Sequence, residues 1–106
     1  MVRRLLVFVL LLGSLTGAGT SDPLRSYARD TWRSLTAMTD PATGLVADNL
    51  SGDLSVKSTY TSPTNIGGSM WSAVVARELK LISGREATAR VEKALDTLLT
   101  LKHHEK

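Results

Sequence analysis

Tyr60-Thr61-Ser62-Pro63-Thr64-Asn65-Ile66-Gly67 is the stretch on which the fold turns. A polar loop becomes a helix here. Ser62 is a favourable N-cap, and Pro63 suits the first helical position, where a missing N–H costs nothing. The free N–H groups of that first turn point outward beside Thr61, Thr64 and Asn65. They form a cluster of donors and acceptors suited to a hydroxyl-rich or anionic ligand. The plainer reading is that the same groups only cap the helix. The periodicity predicts a helix over 63–81, with Ile66, Met70, Trp71, Val74, Val75, Ala76 and Leu79 on a broad apolar face. Gly67, Gly68 and Ser69 lower its propensity but let another backbone, or a ligand, come close.

Beyond this helix, Ser83-Gly84-Arg85-Glu86 has the spacing of a capping box. It opens a helix over 84–103, with Ala87, Val91, Ala94, Leu95, Leu98 and Leu101 inward. Arg85, Arg90, Glu92, Lys93 and Asp96 are expected to face out. The Leu79–Ser83 join is short, so the two helices should form an antiparallel αα-hairpin. Adjacent His103 and His104 point apart on a helix and make no i,i+4 metal pair, so no metal site is expected.

Before Tyr60 lies a loop over 40–62. Asp40-Pro41-Ala42-Thr43-Gly44 has turn chemistry: Asp first, Pro next, Gly last. The rest is expected to be irregular, with a short extended piece at Leu54-Ser55-Val56. A long connection of this kind is commonly functional or disordered. Asp40, Asp48 and Asp53 are its carboxylates, and each by itself is most simply a turn or cap residue. A first helix is expected over 22–39, opened by Ser21-Asp22-Pro23 and ended by Pro41, which biases Asp40 away from helix. Leu24, Tyr27, Ala28, Thr31, Trp32, Leu35 and Met38 form its stripe, with Arg25, Arg29, Asp30 and Arg33 off it. Tyr27 and Trp32 on that stripe read as core rather than as platforms for stacking a sugar.

The fold class is therefore all-α, in one small domain over 21–106. Residues 1–20 read as a signal peptide: Met1-Val2-Arg3-Arg4 is a positive start, Leu5–Leu12 an apolar run, and Thr16-Gly17-Ala18 a small-residue cleavage site. The run is far short of the ~20 residues a membrane span needs, and an uncleaved anchor is the lesser alternative. The expected address is secreted or periplasmic. Arg3-Arg4 also fits a twin-arginine route, weakly. Formal charge is +3, of which Arg3 and Arg4 carry two units, leaving +1 for the remainder. No basic block with interleaved aromatics appears, so nucleic acid is not an expected partner, nor is a membrane after cleavage. The chain has no cysteine, so packing or partners must hold it. P-loop, dinucleotide and nucleophile-elbow motifs are absent, and no cofactor is expected.

Several blocks together resemble a known family. Tyr27-Ala28-Arg29-Asp30-Thr31-Trp32, Asp40-Pro41-Ala42-Thr43-Gly44-Leu45, Ala47-Asp48-Asn49 and Thr61–Gly67 look like a glucoamylase-like family of secreted bacterial proteins. Trp71-Ser72, Leu81-Ile82-Ser83 and the Glu86-Ala87 helix continue the match in order. Relatives of that family include β-glucan-active enzymes and the glucoamylase-like part of cyclic β-glucan synthases. The resemblance implies the N-terminal fragment of an (α/α) six-hairpin toroid, with Thr61–Gly67 at the rim of a glycan cleft. It implies substrate-binding roles for Asp48, Asn49, Thr61, Ser62, Thr64 and Asn65, and it designates no catalytic residue. The chain departs from the pattern at Val46 where Pro is expected, Ser69 where an aromatic is usual, and Lys80 where Gly would end the helix. The chain also stops where the family runs on into an aromatic-rich segment.

Glycoside hydrolysis needs an acid and a second carboxylate across the bond. The expectation is thus a truncated secreted protein of glycoside-hydrolase-like type, inactive alone, whose parent activity is hydrolysis or binding of a β-glucan or related oligo- or polysaccharide. The alternative is a small non-enzymatic helical module that binds a protein partner or associates with itself through exposed apolar helix faces.

Overall fold

The structure is a computed structural model, and it describes residues 22–103. Among the described residues the fold is all-α, with three helices: α1 Pro23–Met38, α2 Pro63–Glu78 and α3 Gly84–Thr100. The expected signal peptide, His104 and the residues after it lie outside the described residues.

Each helix begins as its sequence dictates. Asp22 caps α1, its Oδ1 accepting the Leu24 N–H at 3.0 Å. Ser62 caps α2 by accepting the Asn65 N–H at 3.2 Å, with Pro63 in first position. Ser83 caps α3 by accepting the Glu86 N–H at 3.1 Å. The reciprocal half of the capping box is not made. Glu86 Oε1 instead accepts from Arg90 Nε at 3.0 Å and Nη2 at 2.8 Å, because that guanidinium offers two charge-assisted donors one turn away.

The helix ends fall short of the periodic pattern. α2 stops at Glu78, three residues early, in a Schellman turn. Lys80 takes a left-handed conformation (φ 57°), its N–H donates to the Arg77 carbonyl at 2.9 Å, and the Leu81 N–H donates to the Ala76 carbonyl at 2.8 Å. Lys80 thus does the work usually given to glycine. α3 ends at Thr100, where Leu101 turns extended.

α2 and α3 form the expected antiparallel hairpin, and α1 packs on α2. Arg25 at the start of α1 donates to the Leu79 carbonyl at the end of α2 at 3.0 Å, so α1 runs antiparallel to α2. The core is thin: Val46, Ala47, Ile66, Ala73, Ala76, Ala87 and Ala94 are its buried apolar residues. The alanines let α2 and α3 approach closely, but they remove little apolar area from water.

Several residues expected in the core are outside it. Leu24 is 74% exposed, Tyr27 67% and Trp71 70%, and Leu95 and Leu101 are also exposed. Trp71 lies on the side of α2 opposite Ala73 and Ala76. That helix is apolar on both sides, so periodicity alone does not choose the inner one. Arg90, expected outside, folds back over Trp32 at 5.0 Å from the ring centroid, because a cation is attracted to the face of an indole.

The 40–62 connection is folded upon itself. Antiparallel bridges join Thr39 to Val46 and Leu50 to Lys57. The first encloses the Asp40–Gly44 turn. Asp40 Oδ1 accepts from the N–H groups of Ala42 at 2.7 Å and Thr43 at 3.2 Å, and Gly44 takes φ 73°. Thr97 Oγ1 donates to the Thr43 carbonyl at 2.5 Å, which docks the turn on α3. The second bridge encloses Ser51–Val56. The extended piece expected at Leu54–Val56 is absent: Leu54 has φ 64° and sits in the turn, where Asp53 organises the backbone. The extended pairing falls at Leu50 and Lys57 instead.

Candidate functional site

The two bridges hand the chain back to α2 in a way that brings Asp48 against the helix start. The Asp48 N–H donates to the Tyr60 carbonyl at 3.0 Å and to Ser58 Oγ at 2.9 Å, and the Asn49 N–H also donates to Ser58 Oγ, at 3.1 Å. Asp48 Oδ1 then accepts from Asn65 Nδ2 at 2.5 Å, and Oδ2 accepts from Asn49 Nδ2 at 3.1 Å. Asn49 Nδ2 also donates to the Tyr60 hydroxyl at 3.2 Å. One carboxylate thus gathers two carboxamides, one from the loop and one from the first turn of α2.

Of the six residues expected at a binding site, Asp48, Asn49 and Asn65 meet in this corner. Ser62 serves as the helix cap, and its hydroxyl is engaged there. Thr64 is exposed on the first turn of α2, away from the core. Thr61 stands apart. Its Oγ1 is buried and has no hydrogen-bond partner among the described residues. It lines a cleft of about 240 Å³ together with Asp40, Val46, Ala47, Lys57, Ser58 and Tyr60.

Sequence reasoning missed two members. Ser58 anchors the backbone of Asp48 and Asn49, and Tyr60 presents its ring, 60% exposed, beside the amides. Tyr60 directly precedes the helix-opening block, and that position was the signal available. Ser58 left none, because its role depends on the loop doubling back.

The other loop carboxylates are structural. Asp53 Oδ1 accepts from Ser51 Oγ at 2.6 Å, Ser55 Oγ at 2.7 Å and the Ser55 N–H at 3.1 Å. These bonds, led by the Ser51 hydroxyl, hold its pKa down to about 2. The N–H groups of Ala42 and Thr43 likewise lower the pKa of Asp40. Both carboxyls stay ionised at neutral pH and are engaged in their own turns, whereas Asp48 is the loop carboxylate that the hydrogen bonds to Asn49 and Asn65 place in the corner. Among the described residues no group of three His, Cys, Asp or Glu side chains is placed to hold a metal. No helix there is long and apolar enough to cross a membrane.

A second cavity, of about 280 Å³, opens between α1, α2, α3 and the Asp40–Gly44 turn. Trp32, Leu35, Met70, Ala73, Val91 and Ala94 give it apolar walls, and Arg90 and Lys93 stand at it. It shares no lining residue with the amide corner.

A family model described as "Protein of unknown function (DUF3131)" matches residues 26–106. Among curated proteins and among solved structures, none matches.

Proposed function

The chain belongs to the DUF3131 family of proteins of unknown function, and from that premise we propose that it is an exported glycan-binding protein of glucoamylase-like type. Asp48, Asn49, Asn65 and Tyr60 form one lip of its sugar cleft in this reading. The observation that carries it is the convergence of Asp48, Asn49 and Asn65 beside the exposed ring of Tyr60. A carboxylate with carboxamides next to an exposed tyrosine offers donors, acceptors and an apolar face, the mixture a pyranose presents in return. The resemblance of its motif blocks to a glucoamylase-like family, noted from the sequence, points the same way. The role is binding and not cleavage, because hydrolysis needs two carboxylates across the bond and the corner has one.

The test is an NMR titration of the chain with β-glucan and α-glucan oligosaccharides. Shifts at Thr61, Asn49 and Asn65 that vanish in Asn65→Ala support the proposal. Reducing-sugar release abolished by Asp48→Asn would overturn the assignment of Asp48 to binding. Absence of shifts with every glycan would remove the glycan reading altogether.

A second reading is favoured by the exposed aromatics and leucines. Tyr27, Trp71 and Leu99 are 67%, 70% and 81% exposed, and exposed apolar surface of this kind suits a module that meets a protein partner or another copy of itself.

A further inference from the structure

We infer that α2 is a self-pairing helix, and that two copies of this chain associate through antiparallel packing of their α2 helices about Trp71. The inference rests on the second reading above and names its partner and its surface.

α2 has two faces. Ile66, Ala73 and Ala76 are buried against the rest of the molecule. The opposite face carries Thr64, Gly67, Gly68, Trp71, Val74, Val75 and Glu78, all exposed. These positions lie three, four and seven residues to either side of Trp71, which is the set that shares one stripe of a helix. The stripe is therefore symmetric in position about Trp71, but not in size. Its N-terminal half is small, with Gly67 and Gly68. Its C-terminal half is bulky, with Val74 and Val75.

Nothing among the described residues explains the two glycines. A methyl group built on Gly67 or Gly68 meets no atom beyond its own helix's backbone within 4 Å, and neither has a positive φ. A helical glycine is nonetheless unfavourable relative to alanine. Such a residue is useful where another backbone approaches closely.

An antiparallel two-fold axis through Trp71 answers both points. It sets Gly67 of one copy against Val75 of the other, and Gly68 against Val74. Small then faces large along the whole seam, as interdigitated helix packing requires. The two Trp71 rings meet at the axis, where an aromatic pair is favourable. Glu78 comes opposite Thr64, in the first turn of the other α2, so its carboxylate faces the positive end of that helix. A parallel pairing would instead set glycine against glycine and align the two dipoles. The arrangement is closed by its symmetry, so it stops at two copies.

Analytical ultracentrifugation of the chain over a wide range of concentrations tests this, with Trp71→Glu, Gly67→Leu and Leu99→Glu as variants. All three positions are exposed, so the monomer fold tolerates the changes, and circular dichroism checks that it does. The expected result is a dimer for the wild type and for Leu99→Glu, and at least ~100-fold weaker association for Trp71→Glu and Gly67→Leu. A dimer that survives either α2 variant overturns the α2 pairing. If Leu99→Glu alone dissociates it, self-association stands through α3. A wild type that stays monomeric overturns the pairing and self-association together, and open-ended assemblies overturn the two-fold arrangement.

Discussion

Lys80 and Gly44 both take left-handed backbone, and they show how one residue's conformation sets local stability. At Lys80 a side chain sits where glycine has the advantage, because Cβ crowds the following carbonyl when φ is positive. Lys80→Gly should raise stability by ~0.5–1 kcal/mol, read as a higher denaturant midpoint at unchanged slope. An unchanged or lower midpoint would mean that the Schellman turn is not the true end of α2. Gly44 is the reverse case. A Cβ there would stand 3.2 Å from the Ala94 backbone nitrogen and 3.0 Å from Lys93 Cγ, on top of the unfavourable φ. Gly44→Ala should cost ~1–3 kcal/mol and loosen the turn from α3. Wild-type stability would show that the turn is not docked there. Asp40 and Asp53 both contribute to the pH dependence, and Asp53 shows it most clearly. Its carboxyl is held at about 2, below the ordinary 3.8, so folding favours its ionised form. Its contribution is complete above about pH 4 and is lost as pH falls through about 2. A carboxyl carbon titration by NMR should place the Asp53 midpoint near 2. A midpoint near 4 would show that the Ser51–Val56 turn is not formed in solution.

At the scale of the element, the informative unit is the doubled-back loop together with the first turn of α2. Asp48 links them through Asn65, and both side chains are half-buried. Asp48→Ala should cost ~1–2 kcal/mol, the range for hydrogen bonds to a partly solvated charge. Asn65→Ala should cost a similar amount, and the double variant less than the sum, because both remove the same contact. Additive losses would show that the two side chains do not interact. The helices themselves were legible: Ser62-Pro63, Ser83 and Asp22-Pro23 are local signals, and each cap forms where it was expected. The Asp40–Gly44 turn was legible for the same reason. The corner was legible only in part. Asn65 and Asp48 are separated by seventeen positions, and only the two bridges bring them together.

For the whole molecule, the balance between buried and exposed apolar residues is the governing quantity. The described core is mostly alanine, while leucine, tyrosine and tryptophan side chains remain in water. Native-state hydrogen exchange should therefore find the strongest protection in α2 and α3, which pack on each other and bury Ala73, Ala76, Ala87 and Ala94. α1, which has no buried residue, should exchange faster. Equal protection across all three helices would mean that α1 is held by contacts beyond those of the described residues.

The three described helices with their caps, the short α2–α3 join and the Asp40 turn were determined by the sequence alone, because each depends on neighbours a few positions apart along the chain. The inner face of α2, the departure of Trp71 from the core, the seating of Arg90 over Trp32 and the gathering of Asn49 and Asn65 by Asp48 were decided only by the tertiary structure. The physical reason is range. Capping and turn chemistry are satisfied locally, whereas burial on a helix apolar on both sides depends on which neighbour arrives, and no periodicity within the helix carries that information.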